Sequence, residues 1–233
     1  MIAGDIAARR RALEALRQFE GSAIANAIET FGVRLRNEGF TDGSVRALFA
    51  DMPPVAAHAA TARIRCSAPP PVGHSYLDRT DWWNYIVSIP PPRIVVVEDV
   101  DERPGLGAFV GHVHAQILCA LGCVAFATNG SVRDLGEVRT AGLQLFAGRV
   151  SPSHAFVHIV DFGEPATVGG LKICSGDVVF GDVHGLITIP PSILEELPAA
   201  AERLLAVDRR LVDFCRSSAF SIDGLRQLVR PPA

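Results

Sequence analysis

The amino-acid sequence predicts an α/β protein, and three observations support that fold class. A nearly continuous β-branched run, Arg93 to Val100, is typical of a strand buried on both faces of a sheet. A helical pattern and a second apolar run, Cys123 to Ala127, follow it. Strand, helix and strand over about 35 residues indicate a βαβ unit with parallel strands. After Ser151, short apolar runs alternate with turn residues, so short strands joined by turns are expected there.

The N-terminal part predicts two helices and a strand. Residues 5–20 carry a helical pattern that Gly21 should end. Ser22 is placed to cap a second helix, from Ala23 to Phe31, which Gly32 ends. Ala59 to Cys66 is predicted as a strand, and Asp81 could cap a short aromatic helix before the proline run at Pro90.

Between the two buried strands, Val110, Val113, Ile117 and Leu121 are spaced to share one face of a helix, and Gly122 stands where a helix stop is expected. Gln144 to Ala147 is predicted as another strand. Later strands are expected at 155–160, 166–168, 171–174, 178–180 and 186–189, with a hairpin turn at Gly169-Gly170. The chain should end in helices, one from Pro190-Pro191 to about Arg210 with Pro198 as a candidate kink, and one within 212–229.

The composition limits the class of protein. The 233 residues are 48% hydrophobic, which is enough for a real core in a single domain spanning 1–233. The net charge of −3 predicts no nucleic-acid partner and no binding to an anionic membrane surface. No apolar run approaches the roughly 20 residues of a membrane span, and no secretory signal pattern is present near Arg9, so a cytoplasmic location is expected.

The stretch TNGSVRD, Thr128 to Asp134, is the first candidate site. Arg133 can fork onto a carboxylate or a carbonyl, and Asp134 offers oxygen to a hard divalent cation. A salt-bridged turn that closes a loop explains the same pair.

A second candidate is the glycine-rich stretch GLGAFVGHVH, Gly105 to His114, at a helix start. Free amides there could bind an anion, although the spacing does not match a dinucleotide fingerprint; a tightly packed loop is the alternative. In a parallel βαβ unit, Gly111 and Arg133 should share one sheet edge. Amides, guanidinium and a metal-binding carboxylate together suit a 2-oxo acid and the enolate derived from it.

A third candidate is the segment SGDVVFGDVHG, which holds Asp177, Asp182 and His184. Asp182 and His184 are two residues apart, so they would face the same way in a strand and could bind a metal. A turn that closes a hairpin explains them equally.

TNGSVRD, together with GHVHAQILCALGC before it and GGLKICSGDVVFGDVHGLITIP after it, resembles the family of 4-hydroxy-4-methyl-2-oxoglutarate aldolases and regulator of ribonuclease activity A, the RraA-like proteins. The resemblance covers about residues 15–195. It implies a β/β/α sandwich related to swivelling domains, flanked by N- and C-terminal helices, with a helical extension at 191–230. It also implies homotrimers, sometimes paired into hexamers, with active sites at subunit interfaces.

The resemblance further implies a class II, Mg²⁺- or Mn²⁺-dependent aldolase that also decarboxylates oxaloacetate. Arg133 would bind and polarise the 2-oxo acid, and Asp134 would hold the metal. The substrate carboxylate would lie on the amides of Gly111, His112, Val113 and His114.

Three positions depart from the family pattern. His112 replaces an acidic residue that helps to position a proton-carrying water, Asn129 replaces an aspartate, and Ser175 replaces a proline. An imidazole can shuttle protons near neutral pH, so His112 is expected to act beside Arg133 as a catalytic residue. The alternative is a regulatory or binding protein of the RraA-like kind without catalytic activity.

Overall fold

A computed structural model describes residues 3–71 and 80–229. Its helices are α1 Ala3–Leu16, α2 Gly21–Glu29, α3 Thr80–Ser88, α4 His112–Ala120, α5 Leu135–Ala141, α6 Leu197–Arg216 and α7 Ile222–Val229. Its strands are β1 Arg46–Ala47, β2 Val55–Arg65, β3 Arg93–Asp99, β4 Ala108–Val110, β5 Cys123–Val132, β6 Gln144–Val150, β7 His158–Phe162, β8 Ala166–Val168, β9 Leu171–Ile173, β10 Val178–Asp182 and β11 Gly185–Ile189. No helix in these ranges is both long and apolar enough to cross a membrane.

The main sheet, over the described residues, has the order β1-β6-β5-β3-β2-β10-β11, with β4 added beside β5 and β7 beside β2. Strands β2, β3, β5 and β6 are parallel, whereas β10 and β11 run antiparallel. The hairpin β8–β9 is a separate small sheet. The fold is therefore a mixed α/β sandwich with a nearly closed sheet and flanking helices, which confirms the predicted fold class.

The core follows from the strand sequences. In β3, every residue but Glu98 is buried, as the β-branched run predicted. The alanine-rich strand β2 has small side chains on both faces, so other elements can approach it closely. One face packs on α3, α4 and α5 around Trp82 and Phe126, and α1, α2 and α6 form a second cluster around Leu16 and Phe180.

Two helical predictions at the N-terminus were wrong in detail. Gly21 does not stop a helix; it begins α2, and Ser22 lies within that helix. The preceding residue, Glu20, makes no side-chain cap. The cap comes from Asp182, whose Oδ2 accepts the amide of Gly21 at 2.7 Å. A capping residue 161 positions away leaves no local sequence signal.

The βαβ unit is confirmed, since β3 and β5 are parallel and α4 lies between them. Three details differ from the prediction. Strand β5 continues through Val132, so most of TNGSVRD is strand and only Arg133 and Asp134 follow it. Val110 ends an additional strand, β4, and the buried face of α4 is formed instead by His114, Ala115 and Leu118.

The helix predicted from Pro190-Pro191 to about Arg210 begins and ends later, as α6, whereas the last helix, α7, lies within the predicted range 212–229. Residues after Pro190 form turns, and α6 starts at Leu197, with Pro198 in its first turn, where proline is tolerated, rather than at a kink. The Gly169-Gly170 turn is confirmed, with positive φ angles of 55° and 73°.

Candidate functional site

The structure brings Arg133, Asp134 and Gly111 together at the carboxyl-terminal edge of the parallel strands. Arg133 and Asp134 follow β5 directly, and Gly111 follows β4, which pairs with β5. The Arg133 amide donates to the Val110 carbonyl at 2.9 Å, which holds the two chain segments side by side. Ligands commonly bind at this edge of open α/β sheets.

Asp134 has a left-handed backbone conformation, with φ 54° and ψ 44°. Such a conformation costs an L-residue roughly 1–2 kcal/mol, although aspartate tolerates it better than most. It turns the side chain back across the sheet edge, where Oδ2 accepts the His112 amide at 2.9 Å. The short carboxylate is thereby fixed at the start of α4.

Arg133 lies against the same carboxylate. Its Nε atom is buried, makes no hydrogen bond, and lies 3.8 Å from Asp134 Oδ2. Overall the Arg133 side chain is 32% exposed. A Cβ atom at Gly111 would lie 2.9 Å from Arg133 Nε and 2.5 Å from Asp134 Oδ2, so the glycine makes room for both side chains.

The four predicted substrate-binding positions on α4 are not equivalent. The His112 amide already donates to Asp134, so it is not free to bind a substrate carboxylate. Val113 and His114 belong to the first helical turn, whose amides have no intrahelical acceptor. The side chains of His112 and Val113 are exposed.

The His114 side chain points into the core instead. Its Nδ1 lies 3.2 Å from the Phe109 carbonyl, so Nδ1 carries the proton, and its ring packs edge-on against Phe109. Burial lowers the pKa of His114 to about 4. Its imidazole is therefore neutral near pH 7 and supports the loop from inside.

The Asp134 carboxylate has the properties that a hard divalent cation requires. Its Oδ1 atom has no hydrogen bond within the described residues, and the side chain is 41% exposed. Mg²⁺ is commonly held by one or two carboxylates, with water and substrate oxygens completing its shell. Asp134 therefore fits as a single protein ligand to Mg²⁺ or Mn²⁺.

Sequence reasoning missed a second polar cluster at this sheet edge, formed by Cys66, Asp99 and Asp101. All three are buried, and their potential ligand atoms lie within 4.8 Å of one another. Among the described residues this is the one group of three or more such side chains that could hold a metal ion. The acidic run at the end of β3, Glu98 to Asp101, was the available signal.

Hydrogen bonds already engage the oxygens of this cluster. Asp101 accepts the amides of Cys66 and Ser67 at 2.6 and 2.8 Å, and Asp99 accepts the amide of Gly105 at 2.8 Å. Burial would raise the pKa of Asp101, but the hydrogen bonds from the Cys66 amide and from the amide and hydroxyl of Ser67 outweigh burial, so the pKa is lowered. Burial beside Asp99 raises the pKa of the Cys66 thiol to about 12. The hydrogen bonds to Asp99 and Asp101 describe a cluster that fixes the glycine-rich loop.

The third sequence candidate lies elsewhere. Asp182 ends β10 at the opposite edge of the sheet, because Gly181 pairs with Val55 at the beginning of β2. Its buried carboxylate accepts the His184 amide at 2.9 Å and lies 3.0 Å from His184 Nδ1. Asp177 accepts the Cys174 amide at 2.8 Å and closes a turn. Within one chain, none of these residues joins Arg133 and Asp134.

Comparison with known proteins now adds the family. The family model described as RraA-like, Aldolase/RraA, matches residues 22–188. This chain belongs to the RraA-like family. The match contains both Gly111 and the Arg133-Asp134 pair, and it begins after α1. No curated protein matched the chain significantly.

Solved structures confirm the RraA-like fold. An uncharacterized protein from Pseudomonas syringae pv. tomato superposes with a TM-score of 0.71 at 17% identity, covering 94% of this chain and 93% of that one. Streptomyces coelicolor RraAS2, described as an unusual member of the RNase ES inhibitor RraA family, gives 0.66 at 19% identity, covering 85% and 94%. A structure from work on cellulases of gut-associated microbes gives 0.72 at 20% identity, covering 86% of each chain. At these identities the likeness concerns the fold.

Two of the three departures from the family pattern have a structural explanation. The Asn129 side chain accepts the Asp99 amide at 2.7 Å and donates to the Asp99 carbonyl at 3.1 Å. The Ser175 hydroxyl receives a hydrogen bond from the Tyr85 hydroxyl at 2.6 Å. His112 differs from these two residues: its amide donates to Asp134, but its side chain is exposed and has no such structural explanation.

Proposed function

We propose that this protein is a divalent-metal-dependent lyase that acts on a small 2-oxo acid through an enolate. The observation that carries the proposal is the arrangement of Arg133 and Asp134 against the first turn of α4. A guanidinium, a carboxylate with a free oxygen and helix amides lie together on the ligand-binding edge of the sheet. The family description, Aldolase/RraA, supports the same reaction class.

Each group has a distinct role in this proposal. The amides of Val113 and His114 bind the substrate carboxylate, aided by the positive end of α4. The Arg133 guanidinium donates to the keto oxygen and stabilises the negative charge that develops there when the adjacent carbon–carbon bond breaks. Asp134 would hold Mg²⁺ or Mn²⁺, which supplies a Lewis acid when bound.

His112 is the proposed proton carrier. Its backbone is fixed by Asp134, while its exposed imidazole can reach over the site. An imidazole exchanges protons near neutral pH, so it could supply the proton that the enolate carbon takes up. Because a carboxyl group and an imidazole have different ordinary pKa values, the substitution is expected to shift the pH dependence rather than to remove activity.

The test is pyruvate release from oxaloacetate and from 4-hydroxy-2-oxo acids, with Mg²⁺ or Mn²⁺. Asp134→Asn and Arg133→Gln should each lose most of the turnover, whereas Arg139→Gln, on the neighbouring α5, should keep it. His112→Asp should move the pH optimum, and His112→Ala should lower turnover. If Asp134→Asn matches wild type on every substrate, the protein is not this kind of lyase.

We also propose that a second copy of the chain covers this site, in a trimer or a dimer of trimers. Large apolar side chains stand exposed on the segments around it: Leu106 at 58%, Val113 at 70%, Val150 at 57% and Phe156 at 53%. An apolar surface of this kind usually marks a protein contact. Sedimentation velocity of wild type and Val150→Glu would test it, since the charge should dissociate the assembly.

The second candidate function is a regulatory protein that binds a partner without catalysis. His112 favours it, since the family acid is missing at this position. The structural neighbour described as an RNase ES inhibitor family member shows that the fold serves such proteins. Stable capture of an endoribonuclease, together with no turnover under any metal condition, would select this alternative.

A further inference from the structure

A large groove lies at the sheet edge opposite Arg133 and Asp134. It has a volume of about 770 Å³ and is bounded by α1 and by residues that precede or begin β2, β3 and β5. Its lining residues include Val55, Pro92 and Val124. Pockets of about 300–1,000 Å³ typically accept small organic ligands. Helix α1 precedes the segment that the family model matches, so one wall of the groove lies outside that segment.

One wall of the groove is basic. Arg10 and Arg11 line it from α1 and Arg17 lines it from just beyond that helix; among the described lining residues, Glu14 is the only acidic one. Arg17 is already engaged: its Nε donates to the Pro54 carbonyl at 3.0 Å and its Nη1 pairs with Glu14 at 3.1 Å. The bond to Pro54 fixes the end of α1 against the start of β2.

The other two arginines are uncommitted. Arg10 and Arg11 are exposed and make no hydrogen bond or ion pair within the ranges that the structure describes. In a chain of net charge −3, two unpaired guanidinium groups in the lining of one groove create a local positive field. Guanidinium groups bind carboxylates and phosphates through charge-assisted hydrogen bonds.

The opposite wall is apolar. Val55, Ala56 and Val124 form it together with the two prolines before β3, and Leu13 adds an apolar side chain from α1. A ligand that paired only with the arginines would leave this apolar surface exposed to water, and a purely apolar ligand would leave the two guanidinium groups without an anionic partner. We propose that the groove binds an amphipathic anion, with a carboxylate or phosphate head on Arg10 and Arg11 and an apolar body along β2 and β5.

The test uses four probes below their aggregation limits: octanoate, octyl phosphate, octanol and inorganic phosphate. Calorimetry should show binding of octanoate or octyl phosphate, and at least about tenfold weaker binding of octanol and of inorganic phosphate. The head that binds more tightly identifies the anion. Amide shifts in an NMR spectrum should fall on Ala56 and Val124.

The double variant Arg10→Gln with Arg11→Gln should weaken binding of the anionic probes by about tenfold or more while leaving octanol unchanged. The matched control is Arg203→Gln with Arg210→Gln, two exposed arginines on α6. Thermal unfolding of both double variants should match wild type. Lyase turnover should also persist, since these residues lie at the other sheet edge.

Three results would overturn the proposal. Equal binding of octanol and octanoate would mean that the arginines recognise no head group. An equal loss of affinity in the α6 control would mean non-specific attraction. Dissociation of an oligomer by the Arg10 and Arg11 substitutions, seen by sedimentation, would mean that another copy of the chain occupies the groove.

Discussion

Replacing Gly111 with alanine tests the candidate site through its geometry. The backbone at Gly111 is extended, with φ −136° and ψ −166°, so alanine can adopt it without strain. The added Cβ would lie 2.5 Å from Asp134 Oδ2 and 2.9 Å from Arg133 Nε. Ordinary contacts of this kind need about 3.5 Å, so both side chains must move by roughly 0.5–1 Å.

Stability and activity should respond differently to this displacement. Both side chains are partly exposed, so they can swing outward, and the lost Asp134–His112 hydrogen bond should reduce the free energy of unfolding by about 1 kcal/mol or less. A shift of about 1 Å in catalytic groups can lower turnover by roughly 100-fold. Gly111→Ala should therefore stay folded, bind Mn²⁺ more weakly and lose most of its lyase turnover.

The matched control is Gly136→Ala, in the first turn of α5. A Cβ at Gly136 meets no atom within 4 Å, and alanine favours a helix, so this variant should be at least as stable as wild type and equally active. Urea unfolding, Mn²⁺ titration followed by electron paramagnetic resonance, and the pyruvate assay measure the three quantities. Wild-type Mn²⁺ affinity and turnover in a folded Gly111→Ala protein would refute the role given to this site.

Three further predictions concern the supporting residues. Asp182→Ala removes the acceptor for two amides at a buried position, so the free energy of unfolding in urea should fall by about 2–3 kcal/mol. The decrease should be smaller in Asp182→Asn. A free energy of unfolding equal to wild type in Asp182→Ala would contradict the role of Asp182 as the cap of α2. Because the pKa of His114 is lowered to about 4 and an unfolded histidine titrates near 6.5, the unfolded chain binds more protons between these values. Stability should therefore fall by up to about 1 kcal/mol per pH unit on acidification through this range. His114→Gln should reduce that slope, with a part remaining because burial also lowers the pKa of His58, and the exposed control His154→Gln should keep the full slope. Mn²⁺ binding should survive Cys66→Ser and disappear in Asp134→Asn; the reverse would place the metal in the buried cluster.

The sequence was sufficient for features that depend on local chemistry. The β-branched run after Arg93 predicted the central strand, because β-branched residues favour strands, and this strand is buried as expected. Gly122 was predicted to follow the end of α4, and its φ of +75° shows why a glycine stands there. The predicted parallel pairing of β3 and β5 also implied that Gly111 and Arg133 lie at one edge, which the structure confirms.

Features that depend on distant partners were not predictable in this way. The cap of α2 comes from Asp182, and the amide of Asp99 is held by Asn129 on another strand. The left-handed conformation of Asp134 has no marker in a sequence, since aspartate is common in ordinary turns. The cluster at Cys66 has no local marker, because Cys66 follows β2 whereas Asp99 and Asp101 come from the end of β3 and the loop after it.

The departures at Asn129 and His112 have different consequences for function. An amide can accept and donate, so Asn129 holds both backbone groups of Asp99, whereas an aspartate could accept only one of these bonds. Asn129 therefore joins β5 to the end of β3 through two hydrogen bonds, and this departure requires no change in the proposed reaction. The His112 side chain makes no hydrogen bond to the part of the chain that the structure describes, whereas its amide donates to Asp134. Its identity can therefore be set by the reaction, and the proposed substrate and pH dependence should both be examined first at His112.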